Sequence, residues 1–492
     1  MKAILRNLSI SSLKINVLAL VLVVLTLFLS VLLSNCDSSR NGEAGEKAAT
    51  QTPLDVYLDT ADSNFHYQVM HQSRKEKYTL YILRMVSQKW LNDDLVEHPT
   101  WWHWVSIVVP DKLEHDTALL WIGGGDRNSK LPEQPSPTLV RSALATHSIV
   151  VGVHNIPNQP IHFTGDTMGG RYEDEIIAYG WRKFLEGGAR NEDAEWLARL
   201  PMTNAVQCAM DAVSEYVSEK ESVDVTNFAV AGASKRGWTT WTTAATDDRV
   251  VAMFPIVIDL LNMEPSFKHH WRNYGSWAPA INDYVSEGIM DWIGSEEFDR
   301  LMEITEPYSY IDRYDMPKLL INATGDQFFQ PDSWQFYWED LEGEKYLRYV
   351  PNTGHSMDGT DAVETLTAFY DAILKHEELP DYSWEIGDSN ITLTTDPTDP
   401  IGQIKLWWAV NKEARDFRVS KIGKVWKDST ININENGKYN IRLAEPDKGW
   451  KAYFIEITYD YELPVKLTTG VTVLPREHPY PPFESPDPKG ER

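Results

Sequence analysis

Residues 230–238, Val-Ala-Gly-Ala-Ser-Lys-Arg-Gly-Trp, decide the fold that the sequence predicts. An apolar strand runs into a turn of small residues with Ser234 at its tip, and a helix follows. Such a unit is typical of a nucleophile elbow, whose sharp turn tolerates little side-chain bulk beside the serine. The usual second glycine comes one position late here, as Gly237, and Arg236 occupies its place. This stretch alone therefore leaves open a glycine-rich connection with an incidental serine.

Two further predicted strands end in residues that complement this serine. Residues 319–326, Leu-Leu-Ile-Asn-Ala-Thr-Gly-Asp, end in Asp326, and residues 348–355, Arg-Tyr-Val-Pro-Asn-Thr-Gly-His, end in His355. Parallel strands place their carboxyl ends at the edge of the sheet where active sites form. The order Ser, Asp, His is that of α/β-hydrolases. We therefore predict a catalytic triad in which His355 takes the proton of Ser234 and Asp326 orients the ring.

An acyl-transfer site also needs donors for the oxyanion that develops when the serine attacks. The backbone N–H of Lys235, directly after the nucleophile, is the first candidate. The second is expected from the glycine run that follows Ile122, at Gly124 or Gly125. A plain tight turn explains that run equally well.

Strands and helices alternate across residues 54–378, which predicts an α/β-hydrolase fold with a mostly parallel sheet. One helix is expected over residues 173–185. A second is expected to begin with Thr203 or Asn204 as its cap and to bury Cys208 in the core. Residues 259–316 interrupt the alternation and are predicted to form a cap insertion above the strand ends.

After residue 378 the pattern changes to short alternating strands separated by turn residues. Residues 379–474 are therefore predicted to form an all-β, immunoglobulin-like sandwich, with one of its strands over residues 416–426. The proline-rich tail, residues 475–492, is expected to be loose.

The amino-terminal residues 1–36 resemble a targeting segment. A basic start precedes a charge-free run at residues 17–33, which ends close to Cys36. The site resembles that of bacterial lipoproteins, in which the cysteine is lipidated, although Asn35 departs from the small residue usual there. An uncleaved membrane anchor is the alternative. The composition of residues 37–53 predicts a flexible tether. In either case the body of the protein is expected in the cell envelope, facing the periplasm or exterior.

Composition excludes several classes of function. The 492 residues carry a net charge of −26, which argues against nucleic acid as a partner. Two cysteines cannot build a disulfide scaffold. The histidines show no metal-ligand spacing, so we expect no metal and no cofactor.

Residues 232–239, with Gly325-Asp326 and Gly354-His355, resemble the PhoPQ-activated pathogenicity-related protein family from about Leu54 to Val473. The resemblance implies an α/β-hydrolase-like fold, a serine nucleophile and a link to envelope stress and cationic-peptide resistance. The sequence thus predicts a membrane-anchored serine hydrolase that cleaves a small ester or a peptide bond through an acyl-enzyme. The alternative is a non-catalytic binding or adhesion lipoprotein on a hydrolase frame.

Overall fold

The computed structural model describes residues 51–60 and 62–492. The predicted targeting segment, Cys36 and most of the tether lie outside the described residues. Within the described ranges, no helix is both long enough and apolar enough to cross a membrane.

A nine-stranded sheet forms the centre of the fold. The first eleven strands are β1 (His66–Arg74), β2 (Tyr78–Lys89), β3 (Thr100–Pro110), β4 (Thr117–Ile122), β5 (Val150–Val153), β6 (Ile161–His162), β7 (Gly170–Arg171), β8 (Asn227–Ala233), β9 (Val250–Ile256), β10 (Lys318–Ala323) and β11 (Lys345–Val350). The sheet has the order β1-β2-β3-β5-β4-β8-β9-β10-β11, while β6 and β7 pair with each other. Neighbours from β5 to β11 are parallel and the first three strands are antiparallel. The predicted mostly parallel α/β sheet is confirmed.

Ten α-helices occur in the described residues, and some of them cover the two faces of this sheet. They are α1 (Pro53–Leu58), α2 (Pro137–Thr146), α3 (Asp174–Glu186), α4 (Arg199–Glu221), α5 (Lys235–Thr246), α6 (Met263–Tyr274), α7 (Asn282–Ser286), α8 (Glu296–Thr305), α9 (Ala362–Leu374) and α10 (Val419–Ile422). Apolar residues of α4 and α5 share one core cluster, and those of α2 and α9 share the other. Successive strand residues alternate between these two clusters, as the period of a strand requires. Between β9 and β10 the chain inserts α6, α7 and α8.

The predicted start of α4 is wrong. The helix begins at Arg199, so Thr203 lies inside it and donates its hydroxyl to the carbonyl of Arg199. Pro201 is tolerated there because the first turn of a helix needs no backbone donor. Cys208 is buried as expected, and its thiol donates to the carbonyl of Ser87.

The carboxyl-terminal part is antiparallel, as the sequence indicates. Its strands are β12 (Tyr382–Ile386), β13 (Asn390–Thr395), β14 (Ile401–Asn411), β15 (Lys427–Ile431), β16 (Lys438–Arg442), β17 (Trp450–Tyr459), β18 (Val465–Thr468) and β19 (Thr472–Leu474). One sheet has the order β12-β13-β16, and the other β15-β14-β17-β18, with β19 also paired to β17. The narrower immunoglobulin-like assignment stays a prediction. Phe454 and Ile455 of β17 belong to the same two core clusters as the helices of the central sheet.

Two expectations for this part are corrected. Residues 416–426 contain the short helix α10 and no strand, because the N–H of Val419 donates to the carbonyl of Gly325 beside the central sheet. The tail is not loose. The ring of Phe483 packs against Trp271 and Trp277, with centroids 4.8 and 4.9 Å apart, and Ser485 donates to Asp291.

Candidate active site

Ser234 occupies the turn between β8 and α5 in a strained backbone conformation. Its φ of 58° and ψ of −125° are rare for a residue with a side chain. The surrounding structure holds it there, since its N–H donates to the carbonyl of Ile256 at 2.8 Å. This is the geometry expected of a nucleophile elbow.

The displaced glycine has a steric reason. A Cβ on Gly237 would lie 2.9 Å from the carbonyl oxygen of Gly232 and from a methyl group of Ile258, so only glycine lets α5 pack this closely on the sheet. Arg236 occupies the position where the pattern expects glycine. It donates to the carbonyl of Ile156 and pairs with Glu173 at 2.6 Å.

Asp326 and His355 meet at the ends of β10 and β11. Nδ1 of His355 lies 2.8 and 3.0 Å from the two carboxylate oxygens of Asp326. That carboxylate is only 3% exposed, and it also accepts the backbone N–H groups of Phe328 and Phe329 at 2.7 and 3.3 Å. Gln327 accepts the backbone N–H of His355 at 2.8 Å. These contacts leave Nε2 of the ring on the side away from the carboxylate.

Asp326 and His355 are not among the residues that line the cavity of Ser234, but two phenylalanines connect the pair to it. Phe328 and Phe329 line the same cavity as Ser234, and the His355 ring lies 4.3 Å from that of Phe328. Among the described residues, no hydrogen bond joins the Ser234 hydroxyl to His355. The structure thus brings Asp326 and His355 into direct contact and brings Ser234 to the same edge of the sheet.

The cavity beside Ser234 is small and mainly apolar. Its volume is about 40 Å³. The walls combine aromatic and aliphatic side chains of the sheet edge with residues of the inserted helices: Trp181, Trp238, Ile258, Leu260, Met263, Phe267, Ile281, Tyr284, Phe328 and Phe329. The segment predicted as a cap insertion therefore supplies part of this wall, through α6 and α7.

Charged side chains also line the cavity, namely Asp174, Arg199 and Lys235, and their contacts were not predicted from the sequence. Lys235 is buried, and its ammonium group lies 2.9 Å from Glu173 and 3.0 Å from Asp174. Burial raises the pKa of Glu173, but the positive charges of Arg236 and Lys235 more than offset this effect and bring the pKa down to about 2. Arg199, also buried, donates to the carbonyl of Lys235 at 2.7 Å. No local sequence motif predicts these ion pairs and hydrogen bonds, because the residues that form them are far apart in the chain.

The predicted oxyanion donors lie around the same turn. Lys235 is the first residue of α5, so its N–H has no acceptor within the helix. Gly124 packs under Arg236, where a Cβ would lie 2.5 Å from the guanidinium. Gly124 and Gly125 are held by hydrogen bonds from Asn155 and Gln159 to their carbonyls. The role of these residues as donors stays a prediction.

No group of three or more His, Cys, Asp and Glu side chains suited to a metal ion occurs in the described part of the chain. Two neighbouring histidines of α6 have protein partners: His269 pairs with Asp332 at 3.0 Å, and His270 accepts the N–H of Ala278.

A mostly parallel sheet with a strained serine between strand and helix defines an α/β protein with the elbow found in α/β-hydrolases. The sequence model of the PhoPQ-activated pathogenicity-related protein family matches residues 54–418, and the chain belongs to this family. The chain is also similar to autocrine proliferation repressor protein A of Dictyostelium discoideum, with 38% identity over 87% of this chain and 92% of that protein.

Two solved structures resemble the chain at lower similarity. Acetyl xylan esterase from Paenibacillus sp. R4 has a TM-score of 0.45 and 14% identity, covering 66% of this chain and 96% of that one. Glucuronoyl esterase from Solibacter usitatus has a TM-score of 0.41 and 12% identity, and the match covers 66% of this chain and 90% of that one.

Proposed function

We propose that the chain is a serine hydrolase that cleaves an ester or amide bond through an acyl-enzyme on Ser234. The observation that carries this proposal is the strained backbone of Ser234 at the same edge of the sheet as the Asp326–His355 pair. Strain of this kind persists only where surrounding structure maintains it, and it is concentrated at functional sites.

The mechanism follows from the geometry. Because Nδ1 of His355 faces Asp326, Nε2 is the nitrogen free to take the proton of Ser234. The serine oxygen then attacks the substrate carbonyl, and the backbone N–H of Lys235, with Gly124 or Gly125, stabilises the oxyanion. His355 next protonates the leaving group, and a water molecule hydrolyses the acyl-enzyme. Catalytic hydrogen bonds are often long before substrate binds, so the Ser234–His355 contact is expected to form in the complex.

The cavity supports a short apolar acyl group as the substrate moiety. The cavity volume is about 40 Å³ and most of its wall is aromatic or aliphatic, which suits a small apolar group. Esters and peptides share the triad and the oxyanion donors, so the same site serves both.

The proposal extends to location. A lipidated Cys36, or an uncleaved anchor at residues 17–33, would hold the catalytic body at a membrane and facing the periplasm or exterior. Substrates would then be small esters or peptides of that compartment. The family is described as PhoPQ-activated and pathogenicity-related, and the proposal includes a role in envelope stress or cationic-peptide resistance.

A second candidate is a non-catalytic binding protein. It is favoured by the similarity to a protein named as an autocrine proliferation repressor and by the missing hydrogen bond between Ser234 and His355. In that case the cavity would capture a ligand without turning it over.

A fluorophosphonate probe separates the two candidates. We expect it to label the native protein at Ser234 and to leave Ser234→Ala unlabelled. Ser286→Ala, which changes an exposed serine on α7, is the matched control and should label normally. An unlabelled native protein that also turns over none of a panel of acyl esters and peptides would establish the binding candidate.

A further inference from the structure

A second cavity, separate from the one at Ser234, lies between α6, the loop after β10 and the carboxyl-terminal segments. Its volume is about 240 Å³. The polar side chains in its wall come from every one of these parts: His269, Asp332, Gln335, Arg415, Thr472, Arg476 and His478. Trp334 and Val473 supply an apolar surface beside them.

The wall carries more positive than negative charge. Arg415 and Arg476 line the cavity, whereas Asp332 is the sole carboxylate among its lining residues in the described ranges. Both oxygens of Asp332 are already engaged, one with His269 at 3.0 Å and the other with Arg415 at 2.6 Å. Arg476 donates through one nitrogen to the backbone carbonyls of Ile386 and Gly387, and its charge has no carboxylate partner among the residues that line the cavity. In a chain of net charge −26, composition alone does not produce such a site.

Arg415 presents unused donors there. Its side chain is only 6% exposed, and its Nε has no hydrogen-bond partner in the described structure. A guanidinium group carries five N–H donors, and a buried donor without an acceptor is costly. The arrangement therefore calls for an acceptor that the protein itself does not supply.

The electrostatic surroundings agree with this interpretation. Burial lowers the pKa of His478, and the nearby His269, Arg415 and Arg272 lower it further, to about 4. Burial raises the pKa of Asp332, but Arg415 and His269 bring it below its usual range. The ring of His478 is therefore neutral and the carboxylate of Asp332 is charged. The positive charge of the wall then comes from its arginines, which remain hydrogen-bond donors.

We propose that this cavity binds a small molecule through a carboxylate or phosphate group, held by Arg415 and Arg476 with its apolar part against Trp334. Guanidinium groups match the geometry of both oxyanions. Residues of α6 and of the loop that follows Asp326 line this second cavity. The same helix α6 contributes Met263 and Phe267 to the cavity at Ser234. Binding in the second cavity does not depend on the proposed hydrolysis.

Calorimetric titration of the native protein with inorganic phosphate, and separately with malonate at equal ionic strength, tests the proposal. We expect saturable binding of at least one anion, and the stronger of the two identifies the preferred group. Arg476→Gln, at an exposed position, should weaken that binding about tenfold or more without unfolding the protein.

Arg141→Gln is the control, since Arg141 is an exposed arginine on α2 outside the cavity wall, and it should bind as the native protein does. Arg415→Lys keeps a positive partner for Asp332 but loses the planar fork, and it should also bind weakly. The proposal is overturned if neither anion saturates the native protein, or if Arg476→Gln binds with native affinity.

Discussion

Nδ1 of His355 lies 2.8 Å from a carboxylate oxygen of Asp326, and two backbone N–H groups hold that carboxylate in place. A carboxylate fixed in this way sets both the tautomer and the orientation of the ring. The nitrogen that would serve Ser234 is thereby defined before any substrate arrives.

Asp326→Asn should abolish most of the hydrolysis. An amide at this position no longer stabilises the charged ring and favours the wrong tautomer, so kcat should fall by about 10⁴-fold with little change in KM. Initial rates on p-nitrophenyl acetate measure the effect. Asp358→Asn, an exposed aspartate in the loop that carries His355, should retain native rates. Native activity in Asp326→Asn would remove the carboxylate from the mechanism.

Asn352→Ala should weaken the loop that carries His355. The Asn352 side chain donates to the carbonyl of Trp426 at 3.0 Å and accepts its N–H at 2.9 Å. Losing both bonds should cost about 1–3 kcal/mol of unfolding free energy, measured by denaturant titration, and should lower kcat. Asn352→Gly keeps the freedom to adopt the observed φ of 59° but makes neither bond. If the glycine variant is as stable and active as the native protein, backbone conformation and not the bonds secures the loop.

The residues of the proposed triad could be predicted because each follows a short apolar strand. Strand ends at one sheet edge are a local signal, and the chain order of Ser234, Asp326 and His355 adds to it. The α/β architecture could be predicted for the same reason, since alternating strands and helices leave few arrangements.

The remaining features depend on contacts between distant residues. The ion pair between Arg236 and Glu173 has no local signature, although the displaced glycine marked the position as unusual. The position of the short helix α10 follows from the hydrogen bond between Val419 and Gly325. The fixed position of the carboxyl-terminal tail follows from the packing of Phe483 on α6. Periodicity cannot show which surface a segment will cover.

Glu306→Gln should stabilise the protein at alkaline pH. Burial raises the pKa of Glu306 to about 8, so the folded state favours the neutral acid. Its contribution to stability is therefore complete below the ordinary pKa of about 4.5 and is lost as pH rises through about 8. The melting temperature of Glu306→Gln should exceed that of the native protein by about 2 °C or more at pH 9. The two should converge near pH 4.5, whereas the exposed Glu303→Gln on α8 should show no such trend. A difference independent of pH would contradict the neutral buried acid.

Phe267→Leu should widen the range of acyl groups that the proposed active site accepts. Phe267 of α6 lines the cavity of about 40 Å³ beside Ser234, so the native protein should hydrolyse p-nitrophenyl acetate at least about tenfold better than the octanoate ester in kcat/KM. Removing part of the ring enlarges the cavity, and the ratio should move toward the longer ester. Phe454→Leu makes the same change in a buried strand outside that cavity, and should lower stability without altering the ratio. Equal acyl preferences in the two variants would show that the inserted helices do not select the substrate.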